Sequence, residues 1–272
     1  ALTISNALGG IAIQTAFLAI ADIFYRKINL EHASASLTNM VQTGFLLFLI
    51  ALIATALVGP PLLIGGMSFF SYLLFFCAGV AIYIANRAKF LPMWEPHKTR
   101  ETIIDKPKSQ AKKESLVKLM GWFSITAVFV LLSGYSVAEA AQGLVRLTGL
   151  SQTLIGALFL AIATSLPELF TTIAAVRLGA LTLAVGDIVG GNFFDSLFVA
   201  IGDIFYPAGS LYHGEGVSSR EPFLAGLCLL LNLTLLLGLL IRQKKGPANI
   251  GVESVLMIVF YVAGMSIVYF AM

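Results

Sequence analysis

Charge is what this sequence has least of: 11% of its 272 residues are Asp, Glu, Lys or Arg, against about a quarter in soluble domains. So few charges cannot cover a solvated surface, which excludes a soluble globular protein. A hydrophobic content of 58% and a mean hydropathy of +0.91 exclude disorder and collagen-like repeats as well. There are two cysteines, Cys77 and Cys228, both inside apolar runs and without metal-like spacing, so they read as packing residues. No basic stripe is interleaved with aromatics, which leaves no support for a nucleic-acid partner. P-loop, HExxH and CxxC patterns are absent, and no cofactor is implied. No charged segment precedes the first apolar run and the first residue is Ala1, so the chain reads as one lacking its start rather than one with a signal peptide.

What the chain does have is long apolar runs. A membrane span needs about 20 such residues, and eight runs meet that length: 2–25, 38–58, 63–85, 119–144, 151–176, 181–206, 222–241 and 251–271. The predicted fold class is therefore an all-α polytopic membrane protein, with the lipid bilayer as its surroundings. Between the third and fourth runs, residues 86–118 are polar, Lys-rich and carry Pro92, Pro96 and Pro107, the signature of an aqueous linker between two membrane halves. With that linker in the cytoplasm, alternation of eight spans puts 15 of the 17 Lys and Arg on the cytoplasmic side, and only Arg146 and Arg220 opposite. Both chain ends are then outside a multi-pass cell-membrane protein. The sequon Asn232-Leu233-Thr234 falls mid-span, out of reach of glycosylation.

The chain also repeats itself. Leu2–Tyr25 and residues 183–206 share ten of 24 positions, among them Gly9/Gly190, Gly10/Gly191, Phe17/Phe198 and Asp22/Asp203, and His32 pairs with His213 at the same offset. Composition alone would not align the glycines, the aspartate and the histidine together. The copies are the first and sixth spans, an odd separation, so they run in opposite directions: an inverted-topology repeat, the architecture of many secondary transporters. Two helices precede the second copy and none precedes the first. The expected organisation is thus a three-helix remnant of repeat one at 1–85, a cytoplasmic basic linker at 86–118, a complete five-helix repeat two at 119–272, and two N-terminal spans missing.

Six carboxylates lie in or near the spans: Asp22, Glu139, Glu168, Asp187, Asp195 and Asp203. Each costs roughly 2.5–3.5 kcal/mol at the bilayer centre on insertion scales, and few intramembrane cations exist to pair with them. Acids without basic partners suggest a bound cation or protonation. Asp22 and Asp203 fall near helix ends and read as structural; Asp187 reads as an N-terminal helix acid, and Glu139 as a packing or entry-pathway acid.

The sharpest pattern is 161–168, Ala-Ile-Ala-Thr-Ser-Leu-Pro-Glu. Pro167 lacks an amide hydrogen and clashes with the Ala163 carbonyl, predicting a bent or broken helix with released carbonyls. Helical spacing puts Ala161, Thr164, Ser165 and Glu168 on one face. One carbonyl, two hydroxyls and a carboxylate make an all-oxygen set suited to a hard cation such as Ca²⁺ or Na⁺. Hydroxyls bonding back to their own helix would account for Thr164 and Ser165, though not for Glu168. The next helix carries 190–195, Gly-Gly-Asn-Phe-Phe-Asp, with Gly191 and Asp195 on one face; the same register in the first copy gives Gly10 and Gln14.

At these residues the chain resembles the cation/calcium exchanger superfamily, whose sodium/calcium antiporters carry inverted α-repeats with G-T-S-x-P-E on one helix and G-S-N-x-F-[ND] on the next. The resemblance covers 119–206, and more loosely the last two helices. It implies that Glu168 and Asp195 are cation-binding carboxylates, Thr164 and Ser165 hydroxyl ligands, Ala161 a carbonyl ligand, and that Gln14 stands where the first repeat has Asn. Gly191 replaces a Ser, Ile11 replaces the motif Asn, and the first repeat's S-x-P-E helix is absent. The expected function is exchange of Ca²⁺ for Na⁺ by alternating access, with no enzymatic step. H⁺-coupled exchange, another divalent cation, or a degenerate non-transporting homologue remain open. A remote alternative is an intramembrane aspartyl protease using Asp187 and Asp203.

Overall fold

The structure is a computed structural model describing residues 1–270 apart from Arg26, Ala35, Ile104, 106–114 and 247–249. Arg26, Lys106, Lys108, Lys112 and Lys113 of the basic side, together with Pro107, lie outside the described residues. Among those described, eight helices are long and apolar enough to cross a membrane. In order they are α1 (Leu2–Tyr25), α3 (Leu37–Val58), α4 (Phe69–Phe90), α5 (Leu116–Thr148), the segment Gln152–Arg177, α8 (Leu181–Ile204), α9 (Arg220–Ile241) and α10 (Val252–Phe270). A short α2 (Leu30–Ser34) joins α1 to α3, and Gln152–Arg177 divides into α6 (Gln152–Leu154), a π-helical turn (Ile155–Leu160) and α7 (Ala161–Arg177). The protein is an all-α polytopic membrane protein.

Local chemistry sets several boundaries. Ser36 caps α3 by accepting from the Asn39 amide at 3.1 Å, and Ser151 caps the α6–α7 segment by accepting from Leu154 at 3.2 Å. The third span begins later than its apolar run. Residues 63–68 form a hairpin, β1 (Leu63–Ile64) against β2 (Met67–Ser68), because Gly65 and Gly66 both adopt positive φ (60° and 87°) in its two-residue turn. The helix after it then runs on to Phe90, so the first five residues assigned to the linker are helical. The described part of the linker is docked rather than free: Ile103 donates to the Ala33 carbonyl at 3.1 Å, and Asp105 accepts from the Leu183 amide at 2.8 Å.

Helix α1 is the axis of the molecule. It packs against α7, α8, α9, α10 and the π-helical turn, and 83% of its most apolar window is buried. Small residues permit this: a Cβ on Gly9 would lie within 2.5 Å of Ala157 Cα, and one on Gly156 would lie 2.9 Å from the Leu2 carbonyl oxygen. By contrast α5 has one buried residue, Ala141, and touches the rest mainly through the π-helical turn.

The sequence copies make matching contacts. Asp203 at the end of α8 accepts from the Leu211 amide (2.7 Å), the Ser68 amide (2.8 Å) and Ser71 Oγ (2.8 Å). Asp22 at the end of α1 accepts from Leu30 (2.8 Å), Gly251 (2.8 Å) and Ser254 Oγ (3.0 Å). His213 pairs with the Gly59 carbonyl that ends α3, and His32 with the Arg242 carbonyl that ends α9. Each aspartate thus ties its own helix end to the start of a helix at the far end of the other membrane half. Both are structural, as expected from their positions. Asp203→Ala is expected to strand three buried donors and cost about 3 kcal/mol, with Asp203→Asn milder, read as loss of thermal stability in detergent; equal stability of wild type and the alanine variant would refute that role.

Candidate cation site

The segment carrying Glu168 is not broken at its proline. Helix α7 runs uninterrupted through Pro167, and the irregular turn lies about two to three turns earlier, at 155–160, where a π-helical stretch packs against α1. The proline's steric demand is met within a helix, a tolerance common in membrane spans where neighbours re-satisfy the backbone. Thr164 spends its hydroxyl on that helix, donating to the Leu160 carbonyl (3.0 Å) and lying 3.3 Å from that of Ala161. The Ala161 carbonyl is therefore occupied in the same way. Thr164 is exposed and Ala161 fully buried.

Three helices bring the remaining candidates together. Gln14 from α1 donates its amide to Ser165 Oγ of α7 at 3.1 Å and to Asp195 Oδ2 of α8 at 3.0 Å. Gln14 is 4% and Ser165 2% exposed. Asp195 lies within electrostatic range of Glu168, which is half-buried with Oε2 enclosed and without a hydrogen-bond partner. The Gln14 carbonyl oxygen is likewise buried and unpartnered. The cluster thus holds two carboxylates, one amide oxygen and one hydroxyl, and no Lys or Arg among the described residues pairs with it. Buried acceptors without partners are costly, and a cation bound by them would remove that penalty. Among the described residues no three His, Cys, Asp or Glu converge on one metal position, so Gln14 and Ser165 are needed to complete any ligand set.

Glycines set the cluster's dimensions. A Cβ on Gly10 would stand 3.0 Å from Asp195 Oδ2, and one on Gly191 3.0 Å from Gln14 Oε1. The oxygen lost where Gly191 replaces Ser is met by the longer Gln14 side chain reaching into that space. Sequence reading treated these as separate departures; the contact between them is the signal it missed. It also missed the support behind the cluster. Asn192, fully buried, donates to Thr15 Oγ1 at 2.9 Å; Thr15 donates to the Ile11 carbonyl at 2.7 Å; and Asn232 Oδ1 lies 3.4 Å from Thr15. In the sequence Asn232 stands out only as part of a mid-span sequon.

Of the other intramembrane acids, Asp187 lies within electrostatic range of Glu168 at the edge of the cluster, and the rest lie apart. Asp187 accepts from Thr171 Oγ1 at 2.9 Å rather than capping its helix, and Glu139 is exposed on α5. Asp187 and Asp203 sit sixteen residues apart on one helix, hence about 24 Å apart at 1.5 Å per residue. They cannot face each other as a protease pair.

Fold and cluster together place the chain among multi-pass α-helical membrane proteins with ionisable groups inside their spans. Residues 118–270, more than half of the chain, match the sodium/calcium exchanger protein family, and the chain belongs to it. It is 28% identical over 149 residues to the sodium/calcium exchanger MaX1 of Methanosarcina acetivorans (53% of this chain, 38% of the relative). Over 125 residues it is 34% identical to the putative antiporter CaxA of Alkalimonas amylolytica (46% and 39%), and over 101 residues 33% identical to the inner membrane protein YrbG of Escherichia coli (37% and 30%). The matched stretches span 30–39% of these relatives' lengths. The relatives named exchangers or antiporters are transporters, not enzymes. No solved structure matches significantly.

Proposed function

We propose that the protein is a secondary antiporter that exchanges Ca²⁺ for Na⁺ by alternating access, with Glu168 and Asp195 as the ligands that carry charge and Gln14 and Ser165 as neutral oxygen ligands. The observation that carries this reading is the convergence of α1, α7 and α8 on unpartnered acceptor oxygens with no described cation beside them. Family membership supports cation exchange, and the name of the Methanosarcina relative supports this ion pair. Thr164 and Ala161 are the remaining candidate oxygens of this set, the Thr164 hydroxyl keeping its lone pairs free while its proton is donated to the helix backbone.

In this reading the matched contacts of Asp22 and Asp203 belong to an inverted-topology repeat, divided at the basic linker into 1–85 and 119–272. The linker faces the cytoplasm of a cell membrane. Two mutually repelling carboxylates are costly when empty, so a vacant site does not change sides, which couples the two fluxes.

The test is ⁴⁵Ca²⁺ uptake by the full-length protein in proteoliposomes. An outward Na⁺ gradient is expected to drive uptake at equal pH on both sides. Uptake driven solely by a pH gradient would replace Na⁺ by H⁺ as the coupling ion. Absence of uptake under both gradients would refute the proposal.

A further inference from the structure

At the opposite end of α1 from its first residue, α2 is folded against α8, α9 and the end of α1, and carries a carboxylate that the cation site does not use. Glu31 is completely buried. Its amide donates to Asn29 Oδ1 at 3.2 Å, and neither of its carboxylate oxygens has a hydrogen-bond partner. The groups around it are two more acids. Asp22, from α1, already accepts three hydrogen bonds; Glu253, from α10, accepts from Asn29 Nδ2; both are close enough to repel a charge on Glu31.

Of the described cations at this corner, Arg242 and Lys244 are engaged elsewhere. The Arg242 guanidinium donates to the His32 carbonyl (3.0 Å) and Thr102 Oγ1 (2.9 Å), and the Lys244 ammonium pairs with Glu101 at 3.4 Å. The His32 ring is held between the Arg242 carbonyl and Thr99 Oγ1. From α8, Asp187 is bonded to Thr171, and Asp105 of the linker accepts from Leu183.

The matching corner at the other end of the molecule shows what the scaffold itself requires. There Asp203 keeps the place of Asp22, but Tyr212 stands where Glu31 does, 181 residues on, and Phe70 where Glu253 does, 183 residues back. The Tyr212 hydroxyl is satisfied by Ser71 Oγ at 3.0 Å. One carboxylate suffices to build this corner. Glu31 and Glu253 are additions at one end of the molecule alone.

We propose that Glu31 is a proton-binding site that keeps α2 docked: it is buried as the neutral acid, and loss of the proton drives the segment out. A metal ion fits less well, since Asp22 and Glu253 already spend their oxygens on Leu30, Gly251, Ser254 and Asn29, and among the described residues the three acids do not form a metal-holding group. Neutralising Glu31 needs one proton and no new ligand. Burial first, then the charges of Asp22 and Glu253, hold its carboxyl well above the usual carboxylate range. A carboxyl raised in this way supports docking fully below the ordinary range, and that support fades as pH rises toward the docked-state value. Undocking would also break the His32 contact with the end of α9 and the Ile103 contact with Ala33, so pH on this face would loosen the linker and α9 together.

The test is amide hydrogen exchange of residues 29–34 in the full-length protein in lipid nanodiscs, across pH, with and without Na⁺ and Ca²⁺. After correction for intrinsic exchange, opening in the wild type is expected to rise by up to about tenfold per pH unit above the ordinary carboxylate range. Glu31→Gln, which keeps the shape of the neutral acid, is expected to flatten that dependence. Glu253→Gln removes one repelling charge and is expected to move the transition to lower pH. A wild-type profile already flat, or a rise that survives Glu31→Gln, would overturn the proposal. Protection restored at alkaline pH by Na⁺ or Ca²⁺ would also overturn it, assigning the site to a metal cation. The readout is independent of ion flux, so it stands or falls separately from the exchanger reading.

Discussion

Replacing Glu168 with glutamine is expected to lower Na⁺-driven Ca²⁺ uptake by about two orders of magnitude while leaving the protein folded. The expectation rests on how the side chain is held. Its buried Oε2 takes no hydrogen bond, so no partner is stranded when the carboxylate becomes an amide. What changes is charge. Removing one member of a buried charged set costs about 3 kcal/mol or more, and each 1.4 kcal/mol is tenfold in affinity. Asp195 would remain, still tied to Gln14 Nε2 at 3.0 Å, as a single carboxylate too weak to hold a divalent ion in transit. Glu168→Asp keeps the charge but withdraws it by one methylene, and is expected to fall between wild type and the glutamine variant. Uptake is read in proteoliposomes alongside a thermal melt. A folded Glu168→Gln protein with wild-type uptake would remove Glu168 from the site.

Gly9→Ala is expected to be among the most damaging single methyl additions within the membrane-spanning helices. Its Cβ would come within 2.5 Å of Ala157 Cα, and the obstacle is the backbone of the π-helical turn, which has no rotamer to move. The two helices must separate, at a cost of about 2 kcal/mol by the usual scale of core overpacking. For a chain of this size that lowers the melting temperature by roughly 5 °C. Because Gln14, farther along α1, bridges Ser165 and Asp195, separating α1 from the α7 segment also draws the amide away from both, and uptake should fall with stability. Gly190→Ala, at the sequence equivalent of Gly9, meets nothing within 4 Å and serves as the control. Equal melting temperatures for the two variants would show that the approach of α1 to Ala157 is not limiting.

These two glycines show what each level of description contains. The alignment of the copies makes Gly9 and Gly190 identical, yet one supports a backbone-to-backbone crossing and the other faces open space. The aspartates behave in the opposite way: Asp22 and Asp203 were read as structural from their position near helix ends, and each makes three hydrogen bonds, with the same geometry at both corners. At Pro167 the sequence predicts a bent or broken helix. The helix is not broken there, and the irregularity sits about two to three turns earlier against α1, because a proline's effect in a span depends on what its neighbours can supply. The hairpin at 63–68 was legible in Gly65-Gly66, but the apolar character of the flanking residues hid it.

By itself the sequence determined the class: scarce charge and eight apolar runs leave an all-helical membrane protein, since only closed hydrogen bonding survives in lipid. It also singled out Glu168 and Asp195, because an acid inside a span is costly enough to demand a reason. The tertiary structure alone decided which oxygens meet. Gln14 joins Ser165 to Asp195 across three helices, Thr164 turns back onto its own helix, and Glu31 closes a corner whose counterpart holds a tyrosine. Such pairings depend on how closely helices far apart in sequence approach, and that distance is set by small residues whose neighbours no linear pattern names.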